Sequence, residues 1–209
     1  MRPFVTVNCA MTADGKIASV LRKQMRISSP EDLARVKEMR KNSDAILVGI
    51  GTVLSDDPHL TVKGLTPEEN PLRIVIDGRG RLPEISRVLD DLAKTLIVTC
   101  EDCSKTWKGA EVLRIGKNKV DLSGLMKNLY ERGIRTLMVE GGGEIISSFF
   151  ENNLVDRYCV FVGSMIIGGR TAPTPADGDG FTQPLDLKLV DHKVLGNGIL
   201  LTYEPVNDL

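Results

Sequence analysis

Short apolar runs alternate with helically spaced apolar stripes along almost the whole 209-residue chain. The runs at residues 4–9, 45–48, 72–76, 95–99, 111–115, 137–139 and 155–162 read as strands, and the continuous ones suit strands buried on both faces. Between them, Leu33, Val36 and Met39 recur at helical spacing and predict a helix over 30–41 with that stripe buried. Ser29 is placed to cap it, Pro30 suits its first position, and Asp32 stands where a capping-box acid would. A second helix starts at Asp121, turns Leu122, Leu125, Met126 and Leu129 inward, and stops at Gly133. A third covers 144–152, with Ile145, Ile146, Phe149 and Phe150 on its apolar side. Two final strands, 185–195 and 199–203, flank Asn197-Gly198, a dipeptide of tight hairpin turns.

Alternating strands and helices imply an α/β fold: a mixed, mainly parallel sheet flanked by helices, closed by a C-terminal antiparallel hairpin. No linker or composition shift divides the chain, so a single domain over 1–209 is expected. The longest loops are 18–27, 63–70 and 168–184; the last, rich in Gly, Pro, Thr and Asp, reads as a mobile flap.

Composition refines this picture. Apolar residues make up 42% and aromatics only 4%, so the core is aliphatic. With 27 basic and 28 acidic residues the net charge is −1, which argues against a general nucleic-acid or membrane-surface binder. No apolar run approaches the roughly 18–20 residues of a membrane span. The N-terminus enters a strand pattern without a secretory apolar segment, so a cytoplasmic protein is expected. Cys9, Cys100, Cys103 and Cys159 are too few for a disulfide scaffold. The Cys100-x-x-Cys103 pair encloses two acids, which disfavour a thiolate, and only His59 and His192 could add imidazole ligands. No metal is expected, and Ser-His-Asp catalysis has little material.

Three places carry candidate chemistry. Val139-Glu140-Gly141-Gly142-Gly143-Glu144 sets three glycines between a strand and a helix, leaving backbone N–H groups unobstructed for a phosphate at the helix N-terminus. The same glycines suit a tight turn with no ligand, and the dinucleotide fingerprint is incomplete because Ile146 occupies the third glycine position. Gly49 to Pro58 also follows a buried strand, with Thr52 and Asp56 one turn apart; Asp56-Asp57-Pro58 alternatively reads as a helix stop. Asp14-Gly15-Lys16 is a turn whose lysine is either solvated or a donor to a substrate hydroxyl. Arg40, Arg79 and Arg81 are available for phosphates.

Taken in order, these motifs resemble the riboflavin-biosynthesis reductases. The resemblance rests on the stretch 45–62, on Pro71-Leu-Arg-Ile-Val-Ile-Asp77, on Val139-Glu-Gly-Gly-Gly143, on Leu154-Val-Asp156 with Ile166-Ile-Gly-Gly169, and on Thr12-Ala-Asp-Gly-Lys16. It covers essentially the whole chain and is closest to the free-standing archaeal type. It implies a dihydrofolate-reductase-like fold and NADPH-dependent reduction of a ribosylamino pyrimidine 5′-phosphate to a ribitylamino product. Asp77, at a strand end, leaves NADH open as a second cofactor. No deaminase signature accompanies the motifs, so the diamino pyrimidine is the expected substrate and the deaminated one the alternative. By position, the resemblance gives Ala10, Thr52, Asp56, Gly78, Gly141, Gly142, Gly143, Glu144 and Ile145 to the cofactor. It gives Arg40, Leu60 and Lys63 to the substrate, and Lys16 and Glu140 to the sugar hydroxyls and proton delivery. It also implies a homodimer.

The chain departs from the family at Gln24-Met25, which replaces a serine, and at Arg26, where bacterial members often carry Trp. Glu144 would repel a nearby phosphate, and Asp77 could suit a free ribose 2′-hydroxyl where Arg79 and Arg81 suit a 2′-phosphate. The alternatives are a dihydrofolate-reductase-like enzyme acting on another pterin or pyrimidine, against which Arg40 and Lys37 on the first helix suit a phosphate better than the acid of a folate site, and a dinucleotide sensor that keeps the Gly141–Gly143 turn without turnover.

Overall fold

A computed structural model describes residues 1–23 and 25–206. Gln24, one of the departures above, lies outside them. The elements run β1 (Phe4–Thr12), α1 (Pro30–Lys41), β2 (Ala45–Gly49), α2 (Ile50–Asp56), β3 (Leu72–Ile76), β4 (Thr95–Thr99), β5 (Glu111–Arg114), α3 (Leu122–Glu131), β6 (Thr136–Gly141), α4 (Gly143–Glu151), β7 (Arg157–Gly163), β8 (Leu187–Leu195) and β9 (Gly198–Pro205), with a short 3-10 turn at Arg87–Leu89. The described strands form one nine-stranded sheet in the order β5-β4-β3-β2-β6-β1-β7-β9-β8. The ladders β2–β3, β3–β4, β4–β5 and β1–β7 are parallel; β7–β9 and β8–β9 are antiparallel. No described helix is long and apolar enough to cross a membrane. Two compact units can be traced: Met1–Phe4 with Met39–Met138, and Val5–Glu38 with Val139–Leu209.

In the first unit, β2 and β4 are buried along their whole length, as expected of apolar runs in a parallel sheet. Each Leu, Ile or Val buried there contributes about 1.5–3 kcal/mol. Helix α3 buries Leu122, Leu125, Met126 and Leu129, and the Asp121 carboxylate caps it by accepting from the Gly124 N–H at 3.0 Å. The apolar run of β3 hides an exception. Arg73 is fully buried and donates to Thr95 Oγ1 (2.9 Å), Asp90 Oδ1 (2.6 Å) and the carbonyls of Asp90 and Ala93 (2.7 and 2.5 Å). It ties the segment after the 3-10 turn to the sheet.

In the second unit, α4 buries Ile146, Phe149 and Phe150, while Ile145 is half-buried. Helix α1 corrects the sequence expectation. Ser29 does cap it, accepting from the Asp32 N–H at 3.1 Å, but Leu33 is 46% exposed, Val36 and Met39 are half-buried, and Asp32 is the helix's buried residue. The Asp32 carboxylate accepts from Arg35 Nε at 2.8 Å, and Arg35 Nη2 reaches Asn8 Oδ1 on β1 at 2.7 Å. This polar contact sets the inward face, and Leu33 lies about 100° round the helix from Asp32. The hairpin is also shifted by one residue. Leu195 pairs with Gly198, so Gly196-Asn197 forms the turn, and only Gly196 has positive φ (+62°), a type II′ arrangement.

Segment 168–184 is stitched down in its first half and is not a free flap there. Ile17 N–H donates to the Pro173 carbonyl (2.9 Å), and Asp177 N–H donates to that of Gly143 (3.3 Å). Residues 178–186 are exposed throughout.

Candidate active site

In the second unit, β1 ends in a closed turn that carries Lys16. Thr12 N–H donates to the Lys16 carbonyl, Gly15 N–H to that of Thr12, and Lys16 N–H to Thr12 Oγ1, each at 2.9 Å. The Lys16 ammonium makes no hydrogen bond or ion pair with the described residues, and the side chain is half-buried. Ala10 sits two residues before the end of β1, half-buried and in register with Phe161 of β7. Cys9, beside it, is no nucleophile: burial pushes its thiol up to about 12, and its sulfur sits 3.4 Å from the Tyr158 hydroxyl.

Strand β6 extends further than the sequence suggests and takes in Glu140 and Gly141, leaving Gly142 as the residue before α4. Glu140 is half-buried. Gly141 has φ +111°, open to glycine and costly for other residues, and the Gly141–Gly142 peptide bond is cis. The Gly142 carbonyl accepts from the Ile145 and Ile146 N–H groups (2.9 and 3.1 Å), while the Gly143 and Glu144 N–H groups have no acceptor among the described residues. A Cβ at Gly143 would collide with the Thr174 carbonyl and lie 2.9 Å from Asp177 Oδ2. Glu144 is exposed, so its charge is solvated. These donors and this glycine-lined approach fit a phosphate-bearing cofactor.

The first unit carries the remaining residues. Arg40 lies in the last turn of α1, half-buried. Thr52 and Asp56 stand one turn apart on α2, both half-buried. Burial raises the Asp56 carboxyl above its usual value, against the pull of the Ser55 hydroxyl at 2.7 Å. Leu60 is only 2% exposed and has φ +52°, so its side chain belongs to the core and only its backbone is free to meet a ligand. Lys63 is exposed. Gly78 follows β3, and its carbonyl accepts from the Cys100 N–H at 3.1 Å. Asp77 is fully buried, with Oδ2 accepting from the Leu82 N–H at 2.7 Å, so it shapes the 77–82 loop, and Arg81 Nε lies 3.9 Å from its Oδ1.

Sequence reasoning read Asp14 only as part of a turn. The structure has it accepting from Thr12 Oγ1 (2.5 Å), Ile167 N–H (3.2 Å) and Gly168 N–H (2.7 Å). No local pattern signals partners so far along the chain. Asp177, against Gly143, escaped notice for the same reason.

The described strands, flanking helices and closing hairpin define a dihydrofolate-reductase-like α/β protein. The chain belongs to the RibD C-terminal domain family, whose pattern matches residues 3–201. Among curated relatives, it is 44% identical to the 2,5-diamino-6-ribosylamino-4(3H)-pyrimidinone 5′-phosphate reductase of Archaeoglobus fulgidus, over 97% of this chain and 98% of that one. The protein of the same name from Aquifex aeolicus is 33% identical over 100% and 99% of the two chains. Among solved structures, the bifunctional deaminase/5-amino-6-(5-phosphoribosylamino)uracil reductase of Thermotoga maritima superposes with a TM-score of 0.83 at 30% identity, covering 98% of this chain and 57% of that one. This chain therefore spans little more than half of that protein.

Proposed function

We propose that the chain works as a single reductase domain in riboflavin biosynthesis. It reduces the ribosylamino group of 2,5-diamino-6-ribosylamino-4(3H)-pyrimidinone 5′-phosphate to a ribitylamino chain. The observation that carries this reading is the end-to-end likeness to the Archaeoglobus reductase, 44% identical over 97% and 98% of the two chains.

A reduced nicotinamide supplies the hydride that C1 of the opened ribose accepts. In the second unit, Gly141, Gly142, Gly143, Glu144 and Ile145 hold it through the unpaired N–H groups at the start of α4, with Ala10 beside β6. In the first unit, Thr52, Asp56 and Gly78 serve it. Arg40, Lys63 and the Leu60 backbone take the substrate and its phosphate, for which a guanidinium fork is well shaped. Lys16 and Glu140 hold the sugar hydroxyls and move the proton that ring opening and reduction of the C1–N bond require. NADPH is the preferred coenzyme: Arg79 and Arg81 are exposed after β3 to meet a 2′-phosphate, and the acid that would favour NADH, Asp77, is buried.

The enzyme works in the cytoplasm, in keeping with its four unbridged cysteines. It works as a homodimer. Outer strand β8 exposes Leu189 (50%), Val190 (40%) and Val194 (75%) at the sheet edge, an arrangement that a second copy would cover.

Loss of nicotinamide absorbance with the diamino pyrimidine phosphate, and none with dihydrofolate, is the expected result. Faster turnover of the deaminated pyrimidine would move the substrate assignment, and cofactor binding without turnover would replace the enzyme by a sensor. Arg40→Ala should raise KM about 10-fold or more with kcat little changed, as loss of a charged ground-state contact predicts. An unaltered KM removes Arg40 from the site.

A further inference from the structure

We infer that Asp14 is a positioning residue for this reaction: it fixes the Thr12–Lys16 turn, and with it the root of Lys16, by gripping the chain that leaves β7. The inference rests on the reading of Lys16 as the residue that serves the sugar.

The relay starts at the backbone of Lys16. Its carbonyl accepts from Thr12 N–H and its own N–H donates to Thr12 Oγ1, both at 2.9 Å. A hydroxyl has one proton to give. Thr12 gives it to Asp14 Oδ1 at 2.5 Å, which leaves a lone pair directed at the Lys16 N–H. Thr12 is fully buried, so its hydroxyl has no water to turn to. Asp14 therefore decides which way that hydroxyl points.

Asp14 is itself held from outside the turn. Its Oδ2 accepts from Gly168 N–H at 2.7 Å and its Oδ1 from Ile167 N–H at 3.2 Å. An aspartate that served only its own turn would bond the backbone two residues on. Here both oxygens reach a strand-end segment more than 150 residues away in the sequence. Two backbone bonds flank the grip: Ala13 N–H to the Met165 carbonyl and Ile17 N–H to that of Pro173, each at 2.9 Å. The Thr12 hydroxyl above all, with the two amides, holds the Asp14 carboxyl below its usual value, so the anion that the relay requires persists at neutral pH.

Lysine is a point charge on a flexible stem. With no partner for its ammonium among the described residues, the aim of Lys16 depends on where its backbone is rooted. Asp14 is exposed, so its loss leaves Ile167 and Gly168 N–H groups that water can satisfy, and the fold survives. What is lost is the aim, and a misplacement of about 1 Å costs about 100-fold in rate.

The test is a double-mutant cycle with a structural readout beside it. Asp14→Ala should lower kcat roughly 10–100-fold while cofactor Kd stays within about 2-fold. Asp14→Asn, which keeps an oxygen acceptor, should recover part of the loss. In a Lys16→Ala background, Asp14→Ala should cost no more than about 2-fold further, because its effect passes through Lys16. Amide hydrogen exchange on the free protein should show faster exchange at Lys16 in Asp14→Ala, with the strand amides of β1 unchanged. Additive losses, full activity in Asp14→Ala or in Lys16→Ala, or unchanged protection at Lys16 would each overturn the inference. A wild-type protein inactive on the pyrimidine phosphate would instead overturn the reading of the function, and the exchange measurement still decides whether Asp14 holds the turn.

Discussion

One methyl group at Gly143 is a sharp probe of the glycine turn. It would meet the Thr174 carbonyl, which belongs to the backbone and cannot rotate away, and the Asp177 carboxylate. Gly143→Ala should therefore cost about 1–3 kcal/mol of stability by overpacking. It should also weaken NADPH binding at least 10-fold, read by thermal melting and fluorescence titration; wild-type values for both would show that the turn neither packs against residues 174–177 nor holds the coenzyme. At this scale the sequence was partly legible. Glycines announce themselves, because only they permit φ +111° at Gly141 and the close approach at Gly143. Leu60 was legible as a position and not as a contact, since its burial depends on the folded core. Asp14 and Asp177 act through partners that no local pattern encodes.

Among the elements, strands and the α3 and α4 helices followed their patterns because burial on a regular sheet is what apolar periodicity records. Helix α1 did not, because the polar contact that buried Asp32 makes through Arg35 to β1 outweighed its apolar stripe in choosing the inward face. Strand β3 holds a similar surprise, since Arg73 reads as a blemish in an apolar run and proves to be the anchor of the loop behind it. Arg73→Met should fill the volume yet take the guanidinium from the carbonyls of Asp90 and Ala93 and from the Asp90 carboxylate, which keeps His59 and the Leu92 N–H, at a cost of about 2–4 kcal/mol. Urea unfolding checks this, and a loss below about 1 kcal/mol would mean that the loop is held by other contacts. The hairpin turn slipped by one residue because Gly196-Asn197 and Asn197-Gly198 are both turn dipeptides, and only the ladder between β8 and β9 chooses between them.

For the whole molecule, the acid limb of stability follows from its carboxylates. Burial opposes ionisation of Asp44 and Asp90, yet hydrogen bonds from Arg135 and Thr136 to the first, and from Arg73 and His59 to the second, leave both below their usual values. The Thr12 hydroxyl does the same for Asp14. A carboxyl depressed in the folded state stabilises above its unfolded value of about 3.9, and that contribution is lost as pH falls through the folded value. Melting temperature should accordingly hold between about pH 7 and 5 and fall below about pH 4. Asp44→Asn should make that fall shallower, and an equally steep fall would show that Asp44 is not among the groups responsible. The stitching of the segment after β7 also shapes how the chain meets a protease. Bonds at Met165, Pro173 and Asp177 withhold the first half of that segment, whereas Phe181 and Leu185 stand exposed in the unpinned stretch beyond it. Brief chymotrypsin treatment should nick the native chain there first, since exposed loop tips are preferred cutting sites. The two fragments should travel together through gel filtration, with Lys16, Thr52, Glu140 and the Gly141–Gly143 turn all on the larger piece.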